Sequence, residues 1–320
     1  MLVDAADDRE TFAPPFAELV ATDPLPPPSP HPAAAIAAAS RASSMASRRG
    51  TCSTLTHVSV PANAASGFAR APGAYERTRP GYPDEAVSWL CQELGIRAGA
   101  RVCDLGAGTG KLTRLLVSSG AELVAVEPLA EMRAELARAL PQVEVRPGRG
   151  EALPFDDASL DAVVVAQAFH WFDAPAALDE AARALRDGGG LGLIWYVWEL
   201  EDPLMARLDA LVQQHAPPDP AEDGVRPVPY TSRAHAAARW REAFPHDAFE
   251  GPRELELAWS QRLPAGDLVD RIRSVSVIGA LPDGRRETAL TAAARFADGL
   301  GEEVELVYRT AAYAWRRRAR

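Results

Sequence analysis

Lysine is almost absent from this 320-residue chain. Lys111 is the only one, and basic charge is otherwise carried by arginine. Cysteine is nearly as scarce. Cys52, Cys91 and Cys103 stand far apart and form no CxxC pair, which excludes a disulfide framework and a cysteine zinc site and fits a reducing compartment. No uninterrupted apolar run reaches the roughly 20 residues that a membrane-spanning helix needs, so no membrane insertion is expected. Acidic residues outnumber basic ones, for a formal net charge of -10. Such a surface repels phosphate backbones, so nucleic acid is not expected as a partner. The short basic end, Arg316 to Arg318 with Arg320, reads as a solvated helix terminus.

Negative charge is missing locally as well. From Pro24 to Tyr75 there is no Asp or Glu, and Ser, Thr, Ala, Pro and Arg dominate. The run Pro26-Pro27-Pro28 and the alanine-rich stretch 33–39 sustain no apolar periodicity. Residues 1–67 therefore read as a disordered leader. Their composition is close to that of an organellar transit peptide, although Asp4, Asp7, Asp8 and Glu10 run against it, and Met45 offers a second start. The expected location is the cytoplasm, or a chloroplast or mitochondrion if the leader is an import signal.

Residues 68–320 read as one globular domain. Asp84 and Glu85, followed by Ala86, Val87, Leu90 and Leu94, predict a helix that ends at Gly95. Strands follow at 101–105, 123–127, 143–146, 160–166 and 191–197, with helices at 111–119, 130–140 and 175–185. The strand at 160–166 is almost wholly apolar, as expected when both sheet faces are covered. Asp173 is placed to cap the helix behind it, and Pro175 is tolerated in its first turn. This alternation predicts a Rossmann-like α/β fold, a mostly parallel sheet with helices on both faces. Residues 68–198, which contain the glycine-rich stretch 106–110, are expected to form its cofactor-binding half. Beyond Trp198 the rhythm changes, with helices at 204–215, 232–244, 265–274 and 282–300 and strands at 254–263 and 303–310. This half, 199–320, is expected to complete the sheet and shape the substrate site.

The chemistry concentrates in Asp104-Leu105-Gly106-Ala107-Gly108-Thr109-Gly110, between a strand and a helix. Glycines there permit a tight turn and a close approach of the backbone to a ligand. Glu127 ends the next strand, where a carboxylate can accept both hydrogen bonds of a ribose diol. Together they indicate an adenosine-containing cofactor. A dinucleotide fingerprint has the spacing GxGxxG, so that pyrophosphate can rest on the helix. Here the spacing is GxGxG, with Asp104 two residues ahead. A carboxylate there repels pyrophosphate but can hold the ammonium of a methionine moiety. The Walker spacing is absent around Lys111.

These residues resemble the first motif of the class I S-adenosylmethionine-dependent methyltransferases, and Glu127-Pro128 resembles the second. Glu151-Ala152-Leu153-Pro154-Phe155, Ser159-Leu160-Asp161, the run from Gln167 to Phe172, and Leu185-Arg186-Asp187-Gly188-Gly189 are similar to the remaining motifs. The likeness extends over about residues 68–317. It is strongest to the type 11 methyltransferase group that includes trans-aconitate methyltransferase-like proteins. The segment from Tyr75 to Pro83, and Arg273-Ser274-Val275-Ser276 with Tyr308-Arg309-Thr310, are similar to that subgroup. The resemblance implies a seven-stranded sheet with an antiparallel last strand and S-adenosylmethionine as cofactor. It implies cofactor contacts from Asp104, Gly106, Ala107, Gly108, Gly110, Glu127, Pro128, Gly150, Glu151, Gln167, Tyr75 and Arg79. Gly150 stands where alanine is usual, which leaves the adenine contact to backbone near Gly150 and Glu151. Asp187 replaces a usual proline, a change read as one of turn stiffness.

Methyl transfer from a sulfonium needs an aligned acceptor rather than a covalent nucleophile. The expected acceptor is a small molecule, and a carboxylate would need no base. His170 is the candidate general base for a hydroxyl or amine acceptor, the alternative being a structural histidine. Trp171 is a candidate for facing the sulfonium or the substrate, against simple packing. Tyr75 and Arg79 are candidates for a lid. Arg273 and Arg309 are candidates for holding an acidic acceptor, against surface ion pairs. One of Trp195, Tyr196 and Trp198 is placed to line the acceptor pocket, against core packing. Two other functions stay open, an NAD-dependent oxidoreductase and a cofactor-binding module without catalysis. No metal is expected, and the protein is expected to act as a monomer or weak homodimer.

Overall fold

The computed structural model describes residues 78–216, 241 and 243–319. Tyr75, the leader and nearly all of the expected helix at 232–244 lie outside the described residues. Helix α1 (Asp84–Leu94) opens on Asp84 and Glu85 and closes at Gly95, whose φ of 70° is left-handed. Then come β1 (Arg101–Leu105), α2 (Lys111–Leu116) with a 3-10 turn over Val117–Ser119, β2 (Glu122–Val126), α3 (Ala130–Ala139) and β3 (Glu144–Arg146). Next are β4 (Leu160–Ala166), α4 (Ala174–Ala184) and β5 (Leu185–Trp198). Asp173 caps α4 by accepting the N–H of Ala176, with proline in the first turn. The second half contributes α5 (Pro203–His215), β6 (Phe249–Pro264), α6 (Leu268–Arg273), the one-turn α7 (Ser276–Gly279), α8 (Asp283–Asp298) and β7 (Glu303–Arg317).

The seven strands form one sheet in the order β3-β2-β1-β4-β5-β7-β6. The first five are parallel, and β7 runs antiparallel between β5 and β6. This is a Rossmann-like α/β fold. Period-two alternation sorts the strand side chains onto two cores. Val102, Leu123, Ala125, Ala162, Val164, Ile194 and Tyr196 face one core with α1 and α5. Cys103, Leu105, Val124, Val126, Val163, Val165, Leu193 and Trp195 face the other with α4. No helix among the described residues is long and apolar enough to cross a membrane.

Three expectations are corrected. Strand β5 begins at Leu185 rather than 191, and β7 runs to Arg317 rather than 310. The alanine-rich end of β7 stays extended because Ala311, Ala312 and Ala314 are paired on both sides, with β5 and β6. Arg316 and Arg317 of the basic end are therefore strand, not a solvated helix terminus. Arg317 is buried, donating to the carbonyl of Ala182 and to Asp187. Asp187, read as a matter of turn stiffness, is the counter-charge of that buried arginine.

Helix α1 lies hard against β5, and glycine makes this possible. A Cβ built on Gly190 would stand 2.9 Å from the Cα of Leu94. Backbone cannot swing aside as a side-chain tip can. Gly190→Ala is expected to destabilise the protein by about 1–3 kcal/mol, as overpacked cores do, read as a lower urea midpoint with an unchanged m-value.

Candidate active site

Parallel α/β sheets open a crevice at the carboxyl ends of their strands. Here the ends of β1, β2, β4 and β5 surround a cleft that is partly open to solvent. The glycine loop forms one wall. Gly106, Gly108 and Gly110 all have positive φ, at 70°, 59° and 86°. At Gly106 a Cβ would fall 2.6 Å from that of Ala168, so the loop passes too close to the end of β4 for any side chain. At Gly108 the Cβ position is open, with nothing within 4 Å.

Glu127 follows β2 and lines the cleft. Its Oε2 accepts the N–H of Gly108 at 3.0 Å and its Oε1 accepts that of Leu129 at 3.0 Å. Each oxygen keeps a lone pair for a further donor. Burial pushes its carboxyl above the ordinary range, against these two hydrogen bonds and the charge of Arg133. Asp104 lies fully buried behind the loop. Its Oδ2 accepts from the Thr113 hydroxyl at 2.5 Å, whereas Oδ1 has no hydrogen-bond partner. Burial is the main reason its carboxyl is pushed from an ordinary 3.8 up to about 6, and the nearby Glu127 adds to it.

Gln167 ends β4 in the left-handed region, at φ 54°, which is strained for a residue with a side chain. Its amide holds the carbonyl of Tyr196 at 2.8 Å, tying the ends of β4 and β5 together, and it lines the cleft.

The structure brings together Gly106, Ala107, Gly108, Glu127, Pro128 and Gln167 on the cleft wall, and Trp171 joins them. Gly110, at the start of α2, packs on Leu136 and Leu140. Gly150 and Glu151 do not line the cleft. Gly150 packs against the Phe172 ring, which does, and Glu151 accepts the N–H of Asp173 at 2.8 Å. His170 sits beside Trp171, ring centroids 4.5 Å apart, but is not on the wall. Arg79 bonds Ser274 and the Tyr196 hydroxyl. Arg273 is paired with Asp270 and lies by a separate surface groove with Arg286 and Glu287. Arg309 makes a two-pronged bond to the buried Glu199, at 3.0 and 2.7 Å. Neither arginine lines the cleft.

Sequence reasoning passed over Tyr82 and Lys111, which line the cleft, and the buried Arg271. The signal for Arg271 was present. Leu268, Arg271 and Ile272 have the spacing of one helical face, and all three are buried. Of the three aromatic residues near the end of β5, Tyr196 is the one on the cleft, whereas Trp195 packs on Tyr313 across the other face.

A family model described as a methyltransferase domain matches residues 103–193. An uncharacterized methyltransferase of Mycobacterium bovis is 45% identical over 174 residues, covering 54% of this chain and 69% of the relative. An uncharacterized methyltransferase-like protein of Schizosaccharomyces pombe is 29% identical over 246 residues, covering 75% of this chain and 91% of the relative. A solved structure described as a type II methyltransferase from Anaeromyxobacter dehalogenans is similar with a TM-score of 0.53 at 25% identity, covering 75% of this chain and 97% of that one. The chain belongs to this family, the class I S-adenosylmethionine-dependent methyltransferases.

The raised carboxyl of Asp104 has a consequence for stability. In the unfolded chain it ionises near 4, in the folded protein only near 6. The stability that comes from burying it neutral is complete below about pH 4 and is lost as the pH rises through about 6. Two pKa units correspond to about 3 kcal/mol. Urea denaturation without ligand should show wild type losing about that much relative to Asp104→Asn between about pH 4 and pH 7.

Proposed function

We propose that the protein moves a methyl group from S-adenosylmethionine to a small-molecule acceptor that carries a carboxylate. The observation that carries this reading is Glu127 on the cleft wall, locked to the glycine loop through Gly108. A carboxylate with lone pairs still open suits the two hydroxyls of a ribose. The unpartnered buried Oδ1 of Asp104 suits an ammonium group at the other end of the loop. The buried Asp104 behind the glycine loop puts a carboxyl close to where a pyrophosphate would rest on the helix end, which argues against NAD. The donor, when bound, supplies an electrophilic methyl for in-line displacement. The chain's part is to orient and to exclude water. Gln167 fixes the ends of β4 and β5, and Trp171 and Phe172 supply apolar walls. Pro80 and Tyr82 place the segment before α1 beside the cleft, with Arg79 as its fastening to Ser274. An acidic acceptor requires no base, in keeping with His170 standing off the wall.

An extract screen with radiolabelled methyl donor tests the activity. Transfer to a low-molecular-weight acid is the expected result, and label confined to protein or nucleic acid would overturn the reading. For the donor site, Glu127→Ala is expected to weaken S-adenosylhomocysteine binding by roughly 10- to 100-fold, the loss typical of a charged hydrogen bond, as measured by calorimetry.

A further inference from the structure

Among the described residues, Arg271 is one of the largest fully buried side chains, only 2% exposed. Its partners are all neutral. Nε donates to the Tyr308 hydroxyl at 3.4 Å, Nη1 donates to Ser274 Oγ at 3.3 Å, and the guanidinium lies 5.2 Å from the Trp198 ring centre. No carboxylate is among them, although buried charges are normally paired. Ser274 joins this guanidinium to a second one. Its Oγ also accepts from Arg79 Nε at 3.3 Å, and its carbonyl accepts from Arg79 Nη2 at 2.6 Å. Arg79 Nη1 then donates to the Tyr196 hydroxyl at 3.4 Å. The Tyr196 ring stands edge-on to Tyr308, 5.6 Å away, and Tyr196 is a wall of the cleft. A continuous polar chain thus runs from a buried cation without a counter-ion to the surface of the active site.

We propose that Arg271, Arg79 and Tyr196 form the anion-binding part of the acceptor site, built for a carboxylate or phosphate group. The inference rests on the methyl-transfer reading and places the acidic end of the acceptor within it. It moves the arginine role from Arg273 and Arg309, which are neutralised by acids of their own, to Arg271, which is not. An anion at Tyr196 supplies the missing charge. It also sets a negative acceptor beside a positive donor, and the reaction removes charge from both. The local field agrees: burial pushes the Tyr196 hydroxyl up, yet Arg79, Arg271 and Lys111 outweigh it and hold it below its ordinary range. Guanidinium suits this role because its planar fork matches an oxyanion's two oxygens.

The test is calorimetry on the full chain saturated with S-adenosylhomocysteine, titrated with citrate and separately with inorganic phosphate. Saturable binding of one of them is expected, and the one that binds names the class. Arg271→Met should weaken it by at least about tenfold while S-adenosylhomocysteine still binds, and Arg271→Lys should recover part of the loss. Should Arg271→Met fail to fold, Tyr196→Phe is expected to show the same loss of anion binding. Two results would overturn the proposal: neither anion binds wild type, or the anion binds Arg271→Met (Tyr196→Phe, if Arg271→Met does not fold) as well as it binds wild type. Absence of S-adenosylhomocysteine binding by wild type would instead count against the methyl-transfer reading itself.

Discussion

The site depends on one contact, the carboxylate of Glu127 receiving the N–H of Gly108. Glu127 follows β2 and Gly108 follows β1, neighbouring parallel strands held in register from Arg101 and Glu122 to Leu105 and Val126. The contact fastens the glycine loop to the next strand and leaves the same carboxylate facing the cleft. It requires a backbone free to take positive φ at Gly106, Gly108 and Gly110, and it requires room at Ala168 for Gly106 to pass. Sheet register, loop conformation and ligand-binding charge are therefore one constraint.

Around this contact the protein places charge unequally. About the glycine loop lie two buried carboxyls, Glu127 on the cleft wall and Asp104 behind the loop, both raised by burial. The other side has Arg79 and Arg271 gathered on Ser274 and reaching Tyr196. Carboxyls thus gather about the glycine loop and guanidiniums behind Tyr196. Low dielectric strengthens both fields.

Much of the first half was legible in the sequence because each element is decided locally. The glycines and Asp104, the apolar run of β4 and the Asp173 cap are read within a few residues of themselves. The seven-strand order was legible only through family resemblance. The extension of β7 past Thr310 was not, because alanine-rich sequence becomes strand only when two neighbours pair with it. The Arg317–Asp187 pair joins residues 130 apart and left no local mark. At the site, Glu127 was read from its place at a strand end, and Gln167 from the family resemblance. Arg271 was missed because an arginine on a short helix reads as solvated unless its apolar spacing is followed.

The central claim is that the glycine loop and Glu127 receive a methionine-bearing adenosine rather than a dinucleotide. Calorimetric titration of the wild-type chain with S-adenosylhomocysteine and, separately, with NADH tests it most directly. Saturable binding of S-adenosylhomocysteine with no binding of NADH is the predicted result. Saturable NADH binding without S-adenosylhomocysteine binding would contradict the account.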